Sequence, residues 1–542
     1  MKRIHLLSLS ILSGIIIALG WPLNGFPVLL FIGFIPLLYV EDYFTKHRAD
    51  YSRYNVLLYS YLAFFVLNLL TNYWIWNSTV AGGIGALFLN SFFMTIPFTA
   101  YHFSRRILYK YHKGHFLLLF YWLAFEYFHL DWDLSYPWLN LGNGFANWHK
   151  WIQWYEYTGA LGGTFWILLI NILIYRFMVN YIENKELKTK NYVQLASILL
   201  IIIVPIIISL NIYSNYTEAE NPIDVLVVQP NLDPYSEQYG LDPNIVINRM
   251  LKIAGPKMDS AVDFMVFPES ANQELIFEHN LEYYSTIRKL KSYLQDYPDT
   301  YMVVGASTFK LVTGNDTLKQ AARKFANGSG YYFAFNTGIF LNASEDYQLY
   351  HKSKLTPGVE MMPSWRILRP LEKFAIDLGG TIGTLATDDL RKNFVTKDSV
   401  KTATTICYES IYGEFTSQFV RNGAQVIFII TNDGWWGNTA GHRQHFAYAK
   451  IRAIENRRSI ARSANTGISA FINQRGDVSQ QTAYWEPAVI RQKINLNKEL
   501  TFYVKNGDYL ARISSLITAF FILITISMAL KNRKKSLKSV RS

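Results

Sequence analysis

Cysteine is almost absent from this sequence: 542 residues hold a single one, Cys407. One cysteine excludes an intramolecular disulfide and any zinc site built from paired thiolates. HExxH is also missing, so the two histidines that stand three apart, His442 and His445, have no third ligand beside them and read better as packing or surface residues than as a metal pair. Acidic residues are fewer than basic ones, 40 against 52. A net charge of +12 suggests nucleic acid only where the basic residues gather on one face, and here they do not. They fall in short clusters between long apolar runs.

Half of the residues are hydrophobic, yet the mean hydropathy is only +0.08, so strongly apolar stretches must be averaged against a large polar region. Runs long enough to cross a bilayer, about 20 residues, lie near 5–22, 55–74, 83–103, 162–182, 193–214 and 509–530. Shorter ones lie near 27–40 and 115–130, giving eight expected spans. Positive charge follows alternate spans: Lys2 and Arg3, then Lys46, Arg48 and Arg53, then Arg105, Arg106, Lys110 and Lys113, then Lys185, Lys188 and Lys190, and last the tail from Lys531 to Arg541. The intervening loops "GWPLNGF" and "NSTVAGG" carry none, and 131–161 only Lys150. The positive-inside rule then puts both termini in the cytoplasm. The start resembles a signal peptide but lacks a small-x-small cleavage site and runs into another apolar segment, so it reads as an uncleaved first span. Three parts are expected: a membrane domain of seven helices (1–215), an exported polar domain (216–508), and a last span with a basic tail (509–542).

Within the polar part, β-branched and aromatic runs alternate with helical stretches: "IDVLVVQPN", "DFMVFPES", "TYMVVGAS", "GYYFAFNTGIFLN", "TATTICYES" and "AQVIFIITNDGWWG". That alternation predicts a layered α/β domain. The segment from His442 to Ala464 predicts a helix, with Phe446, Ala449, Ala453 and Ile460 on an apolar stripe. Polar residues cluster at three strand ends: Glu269 in "VFPES", Lys352 and Glu360 in "LYHKSKLTPGVE", and Cys407 with Glu409 in "TTICYES". Singly, each reads as a cap, a solvated lysine or a small buried hydrophobe. Together they supply a base, a cation and a thiol, the parts needed for acyl transfer through a thioester.

"FPES", "YHK" and "ICYES" at strand ends resemble the nitrilase superfamily. The apolar spans, "SYPWLNLG" at 135–142 and "NDGWWGNTAGHRQHFAYAKIRAIENRRSIARSANTGISAFI" resemble its membrane-bound apolipoprotein N-acyltransferase family. Two positions depart from that pattern: "TPGVE" stands where the family has Val-Pro-Phe-Gly-Glu, and Trp436 stands at a position commonly filled by Phe. The resemblance implies a membrane helical bundle joined to an exported αββα domain, inserted before the last helix, on the outer or periplasmic side of a bacterial cytoplasmic membrane. It implies Glu269 as general base, Lys352 as stabiliser of the oxyanion with the backbone N–H of Tyr408, and Cys407 as nucleophile. Glu360 is expected to position these groups, Tyr408, Glu409 and Trp435 to shape the pocket, and Asn336 to contact substrate. The implied partners are a phospholipid acyl donor, a diacylated apolipoprotein acceptor and the bilayer, for a monomer that needs no cofactor, metal or nucleic acid.

Two rivals stay open: a membrane-tethered amidase of the same superfamily, with water as acceptor, and a transporter or scaffold with a degenerate domain. The aromatic loop 131–157 suits an interfacial belt, and the apolar arm "VEMMPSWRILRPL" (359–371) is expected to close over lipid. On a Cys407→Ala background, cysteines introduced into 216–508 should react with a membrane-impermeant reagent in intact spheroplasts. Protection equal to that of the C-terminal tail would contradict the charge-derived topology.

Overall fold

The computed structural model describes every residue except 1, 23–24, 79, 110–112, 186–188, 345, 362–383 and 542. The N-terminal part is helical: α1 (Arg3–Leu19), α2 (Ile35–Lys46), α3 (Asn55–Asn72), α4 (Ile75–Ser78), α5 (Val80–Leu108), α6 (Leu117–Phe128), α7 (Tyr155–Asn184) and α8 (Thr189–Asn215). The polar part adds α9 (Pro243–Ala254), α10 (Ser285–Leu294), α11 (Gly413–Arg421), α12 (Ala440–Asn456) and α13 (Phe502–Asn506), and α14 (Tyr509–Arg541) closes the chain. Six helical segments among the described residues are long and apolar enough to cross a membrane: Pro27–Lys46, Asn55–Asn72, Gly82–Leu108, Tyr155–Asn184, Thr189–Asn215 and Tyr509–Lys534. The other two expected spans correspond to the shorter apolar helices α1 and α6. The apolar window of α8 is only 11% buried and that of α14 17%, against 61% for Pro27–Lys46. Thus α8 and α14 leave most of their apolar surface uncovered by the rest of the described chain.

Two sheets make up the polar part. The strands of the first are β1 (Pro222–Gln229), β2 (Phe264–Val266), β3 (Asn272–Phe277), β4 (Tyr301–Val312), β5 (Arg323–Lys324), β6 (Tyr331–Leu341) and β7 (Gln348–His351). Those of the second are β8 (Phe394–Val395), β9 (Lys401–Ile406), β10 (Val426–Thr431), β11 (Ile460–Ala464), β12 (Ala470–Ile472) and β13 (Val478–Ser479), while β14 (Ala488–Asn495) returns to the first. The first runs β14-β1-β2-β4-β6-β5, with β3 on β4 and β7 on β6; the second runs β13-β12-β11-β10-β9-β8.

Alternation along each strand decides the layering. On β1 and β2, Leu226, Val228 and Met265 join Ile247 and Met250 of α9 and Ile287 and Leu290 of α10 in one cluster. Their neighbours Val225, Val227 and Phe264 join the second sheet instead, with the Phe264 and Phe428 rings 5.3 Å apart. Helices α11 and α12 cover the second sheet, and α12 packs in turn on α7 and the 141–151 turn of the membrane part. The order is α, β, β, α, with the membrane helices against the last layer.

One expectation is corrected. The helix read over His442–Ala464 ends at Asn456, where Arg457 takes a left-handed conformation (φ +47°) as its C-cap. Ile460–Ala464 then forms β11, parallel to β10 from Ile427↔Ile460 to Thr431↔Ala464. It is buried at every position, so period-2 alternation was never visible in it. The apolar arm lies mostly outside the described residues, since 362–371 fall in the undescribed stretch.

Candidate active site

The catalytic candidates converge from both sheets. Glu269 lies just past β2 in a segment that β4 approaches so closely that only glycine fits opposite: a Cβ on Gly305 would stand 2.5 Å from the Pro268 carbonyl oxygen and 2.6 Å from the Glu269 Cα. Lys352 lies just past β7, its backbone N–H donating to the Asn336 carbonyl at 2.8 Å. The preceding His351 fixes the end of that strand, with Nε2 2.7 Å from Glu278 and Nδ1 3.2 Å from Asp388. Cys407 opens a 3₁₀ turn directly after β9, and β9 runs parallel to β10. Cys407 and Asn432 therefore sit at the C-terminal ends of neighbouring parallel strands.

The Lys352 ammonium is 1% exposed. It donates to Glu269 Oε1 at 3.1 Å and to Glu360 Oε1 at 2.9 Å. Asn336, in the middle of β6, uses one amide nitrogen for the same two oxygens, 2.8 Å from Glu269 and 3.0 Å from Glu360. The second oxygen of Glu269 accepts from the Asn432 N–H at 3.0 Å, and that of Glu360 from the Thr356 N–H at 2.9 Å.

Burial opposes a charged lysine, but the carboxylates of Glu269 and Glu360, with the Cys407 thiol, outweigh it and raise the Lys352 pKa well above its ordinary value. Burial likewise opposes the Glu360 carboxylate, and Lys352 reverses that, lowering its pKa. For Cys407 the balance runs the other way. Desolvation, then the negative charge of Glu269, push the thiol up, and Lys352 offsets only part of this. The resting site thus holds a neutral thiol beside a carboxylate and an ammonium, the arrangement in which a base takes the thiol proton as attack begins.

The remaining candidates are placed differently from one another. Glu409 is fully buried: Oε1 accepts from the Tyr350 hydroxyl (2.7 Å) and the Ser353 N–H (2.6 Å), and Oε2 from the Ile406 N–H (2.8 Å). It ties the Lys352 loop to the Cys407 turn, and burial raises its pKa. Tyr408 is turned toward the membrane part, its hydroxyl donating to the Ser135 carbonyl at 2.9 Å and its ring 5.4 Å from that of Tyr412. Its side chain joins the two parts of the chain, and the Trp435 ring packs on Tyr235 (5.1 Å) and Tyr239 (6.3 Å). Tyr239, which sequence reasoning missed, feels the charges of Glu269, Glu360 and Lys352. Asn432 was also missed, although its place at the end of an apolar run, in "IITND", is the signal that singled out the others.

Of the paired histidines, His442 stacks on Tyr484 at 4.1 Å, and His445 faces Asp433 at 3.0 Å. Among the described residues, Glu41, Asp42 and His115 have metal-ligand spacing. The Glu41 and Asp42 carboxylates, however, are already paired with Arg105, with further bonds from Tyr101, His102 and Tyr175.

Residues 227–499 match the carbon-nitrogen hydrolase family and residues 13–173 the apolipoprotein N-acyltransferase N-terminal domain. The chain belongs to the carbon-nitrogen hydrolase family, in its membrane-bound apolipoprotein N-acyltransferase branch. Curated apolipoprotein N-acyltransferases resemble it end to end. That of Chlorobaculum tepidum is 27% identical, covering 95% of this chain and 96% of its own, and that of Geobacter metallireducens is 26% identical over 93% and 92%. A solved amidase from Nesterenkonia, 12% identical with a TM-score of 0.36, covers 55% of this chain and 99% of its own, a likeness too slight to bear on the assignment.

A raised thiol has a direct signature. Thiolate absorbance, read as the difference from Cys407→Ala, should remain absent through about pH 9, beyond the free-cysteine pKa of about 8.5. A midpoint below about pH 8 would mean that Lys352 dominates and holds a thiolate at rest.

Proposed function

We propose that this apolipoprotein N-acyltransferase homologue moves an acyl chain from a membrane phospholipid, through a thioester on Cys407, to the N-terminal amine of a diacylglyceryl-cysteine apolipoprotein. The observation that carries the reading is the buried Lys352 ammonium shared by Glu269 and Glu360 beside the neutral Cys407 thiol. As the sulfur attacks the ester carbonyl, its proton passes to Glu269. The ammonium of Lys352 and the Tyr408 backbone N–H stabilise the oxyanion, a kind of donor whose loss costs about 2.7 to 4 kcal/mol. Collapse breaks the acyl C–O bond, and the lysophospholipid oxygen takes the proton from Glu269. In the second half the amine attacks the thioester and gives a proton to Glu269, the C–S bond breaks, and the sulfur leaves as thiol once that proton returns. Asn336 Oδ1 is buried without a partner among the described residues, an acceptor available to the incoming amine.

Membrane attachment follows from the substrates. Burying one CH₂ is worth about 0.8 kcal/mol, so lifting a long acyl chain into water costs on the order of 10 kcal/mol. The reading places eight spans in a bacterial cytoplasmic membrane, the short α1 and α6 included, with both termini cytoplasmic and the catalytic domain on the outer side, acting as a monomer. Contacts between the Cys407 turn and the 131–139 loop, such as Tyr408 to Ser135, support a site at the membrane surface.

Purified enzyme incubated with phospholipid alone should accumulate a hydroxylamine-sensitive acyl adduct on Cys407. Adding a diacylated lipopeptide should discharge it as an amide, with ping-pong kinetics. An adduct that forms equally in Cys407→Ala would overturn the nucleophile assignment, and release of free fatty acid in place of amide would make the protein a hydrolase.

A further inference from the structure

Cys407 sits at φ +51°, a left-handed conformation that costs a non-glycine residue about 1 to 3 kcal/mol and persists only where its surroundings enforce it. Its carbonyl is gripped from one side. Ser410 Oγ donates to it at 2.7 Å, and His445 Nε2 lies 3.2 Å from the same oxygen and 3.0 Å from the Ser410 hydroxyl. The imidazole is itself fixed at its far end, Nδ1 standing 3.0 Å from Asp433 Oδ1. That carboxylate also accepts from the Thr431 hydroxyl at 2.7 Å and pairs with Arg462. His445, Asp433 and Arg462 are all at most 1% exposed, and the acyl-transfer steps above make no use of them.

With its proton on Nε2, the ring donates to the Cys407 carbonyl beside the Ser410 hydroxyl and accepts from Arg462 at Nδ1 (3.2 Å); with its proton on Nδ1, directed at Asp433, Nε2 accepts from the Ser410 hydroxyl, which then leaves the carbonyl. Either arrangement binds ring and turn together. The same ring lies between two tryptophans at the junction with the membrane part, Trp138 at 5.9 Å and Trp436 at 5.7 Å. Trp74 of the membrane part packs on both, 4.8 Å from each. A ring that only filled space here would need neither Asp433 nor Ser410.

We propose that His445 is a positioning residue for the nucleophile: braced by Asp433 and Arg462, it holds the turn from Cys407 to Ser410 so that this strained turn presents the thiol to Glu269 and Lys352. The hold is anchored in the tryptophan cluster at the membrane junction. This rests on Cys407 being the nucleophile. His445→Phe keeps the ring volume and removes both polar contacts, whereas His445→Gln restores a donor and an acceptor at the reach of Nε2.

Single-turnover acylation of Cys407 by phospholipid, the KM for phospholipid, and thermal stability should be read together in the full-length protein. Misplacing a reacting group by about 1 Å costs on the order of 100-fold, so His445→Phe should slow acylation roughly 10- to 100-fold at unchanged KM, with His445→Gln recovering to within about threefold of wild type. Ser410→Ala, which leaves the tryptophan cluster untouched, should slow the same step several-fold. Acylation by His445→Phe within about twofold of wild type, or His445→Gln no faster than His445→Phe, would overturn the proposal. If His445→Phe fails to accumulate in the membrane, Ser410→Ala decides, and an unchanged rate there overturns it. Failure of the nucleophile assignment looks different, because Cys407→Ala would then still carry the adduct.

Discussion

A single ammonium, that of Lys352, sits out of water between the carboxylates of Glu269 and Glu360, and much of the catalytic domain is arranged to keep it there. Removing an ion from water costs several kcal/mol even after relaxation, and such a group persists only when partners and hydrogen bonds surround it. Here Asn336 joins the two carboxylates, Asn432 and Thr356 fill their second oxygens, and Gly305 lets β4 close on the Glu269 segment. Glu409 then spans from the Lys352 loop to the Cys407 turn. Lys352, Glu269 and Cys407 are thus held from both sheets, and neither the ammonium nor its carboxylate partners can shift without leaving a buried charge unpaired.

The second constraint is the junction with the membrane helices. Lys354, two residues past the ammonium, donates to Asp131 and to the Leu130 carbonyl. The hydroxyl of Tyr408 reaches Ser135, Arg457 pairs with Glu156, and Glu455 accepts from the Ala160 N–H at 2.8 Å. That last bond needs the break in α7 at Gly159, which takes φ +64° and faces the Tyr503 ring closely enough that a Cβ would stand 2.3 Å from it. The site is thus fastened to the apolar helices, and in the proposed reaction that junction is where a lipid ester would arrive.

Much of this was legible in the sequence, because long apolar runs and polar residues at strand ends are local signals. The residues "FPES", "YHK" and "ICYES" pointed to Glu269, Lys352 and Cys407, and the structure brings Glu269 and Lys352 together with Asn336 of β6. What escaped was set by partners distant in sequence. Glu409 and Tyr408 follow Cys407 directly, yet one side chain turns to the backbone of 353–354 and the other to Ser135. His445 looked like a packing residue because Asp433 and Ser410 meet it only after α12 folds across the second sheet. The helix that was drawn too far, to Ala464, concealed a strand whose pairing with β10 no local periodicity reveals.

The shared ammonium can be tested by how stability depends on pH with and without it. Lys352 lowers the Glu360 pKa, so in the wild type the carboxylate contributes stability above its unfolded value, and that contribution is lost only as pH falls through the lowered one. In Lys352→Met the buried Glu360 carboxylate loses its cation, burial then raises its pKa, and acid should relieve it. Denaturant unfolding of both proteins between about pH 7.5 and 5 should therefore show Lys352→Met gaining stability on acidification relative to the wild type, closing part of a deficit of about 3 to 5 kcal/mol. Parallel curves across that range would contradict the account, because they would mean that Lys352 neutralises no buried carboxylate.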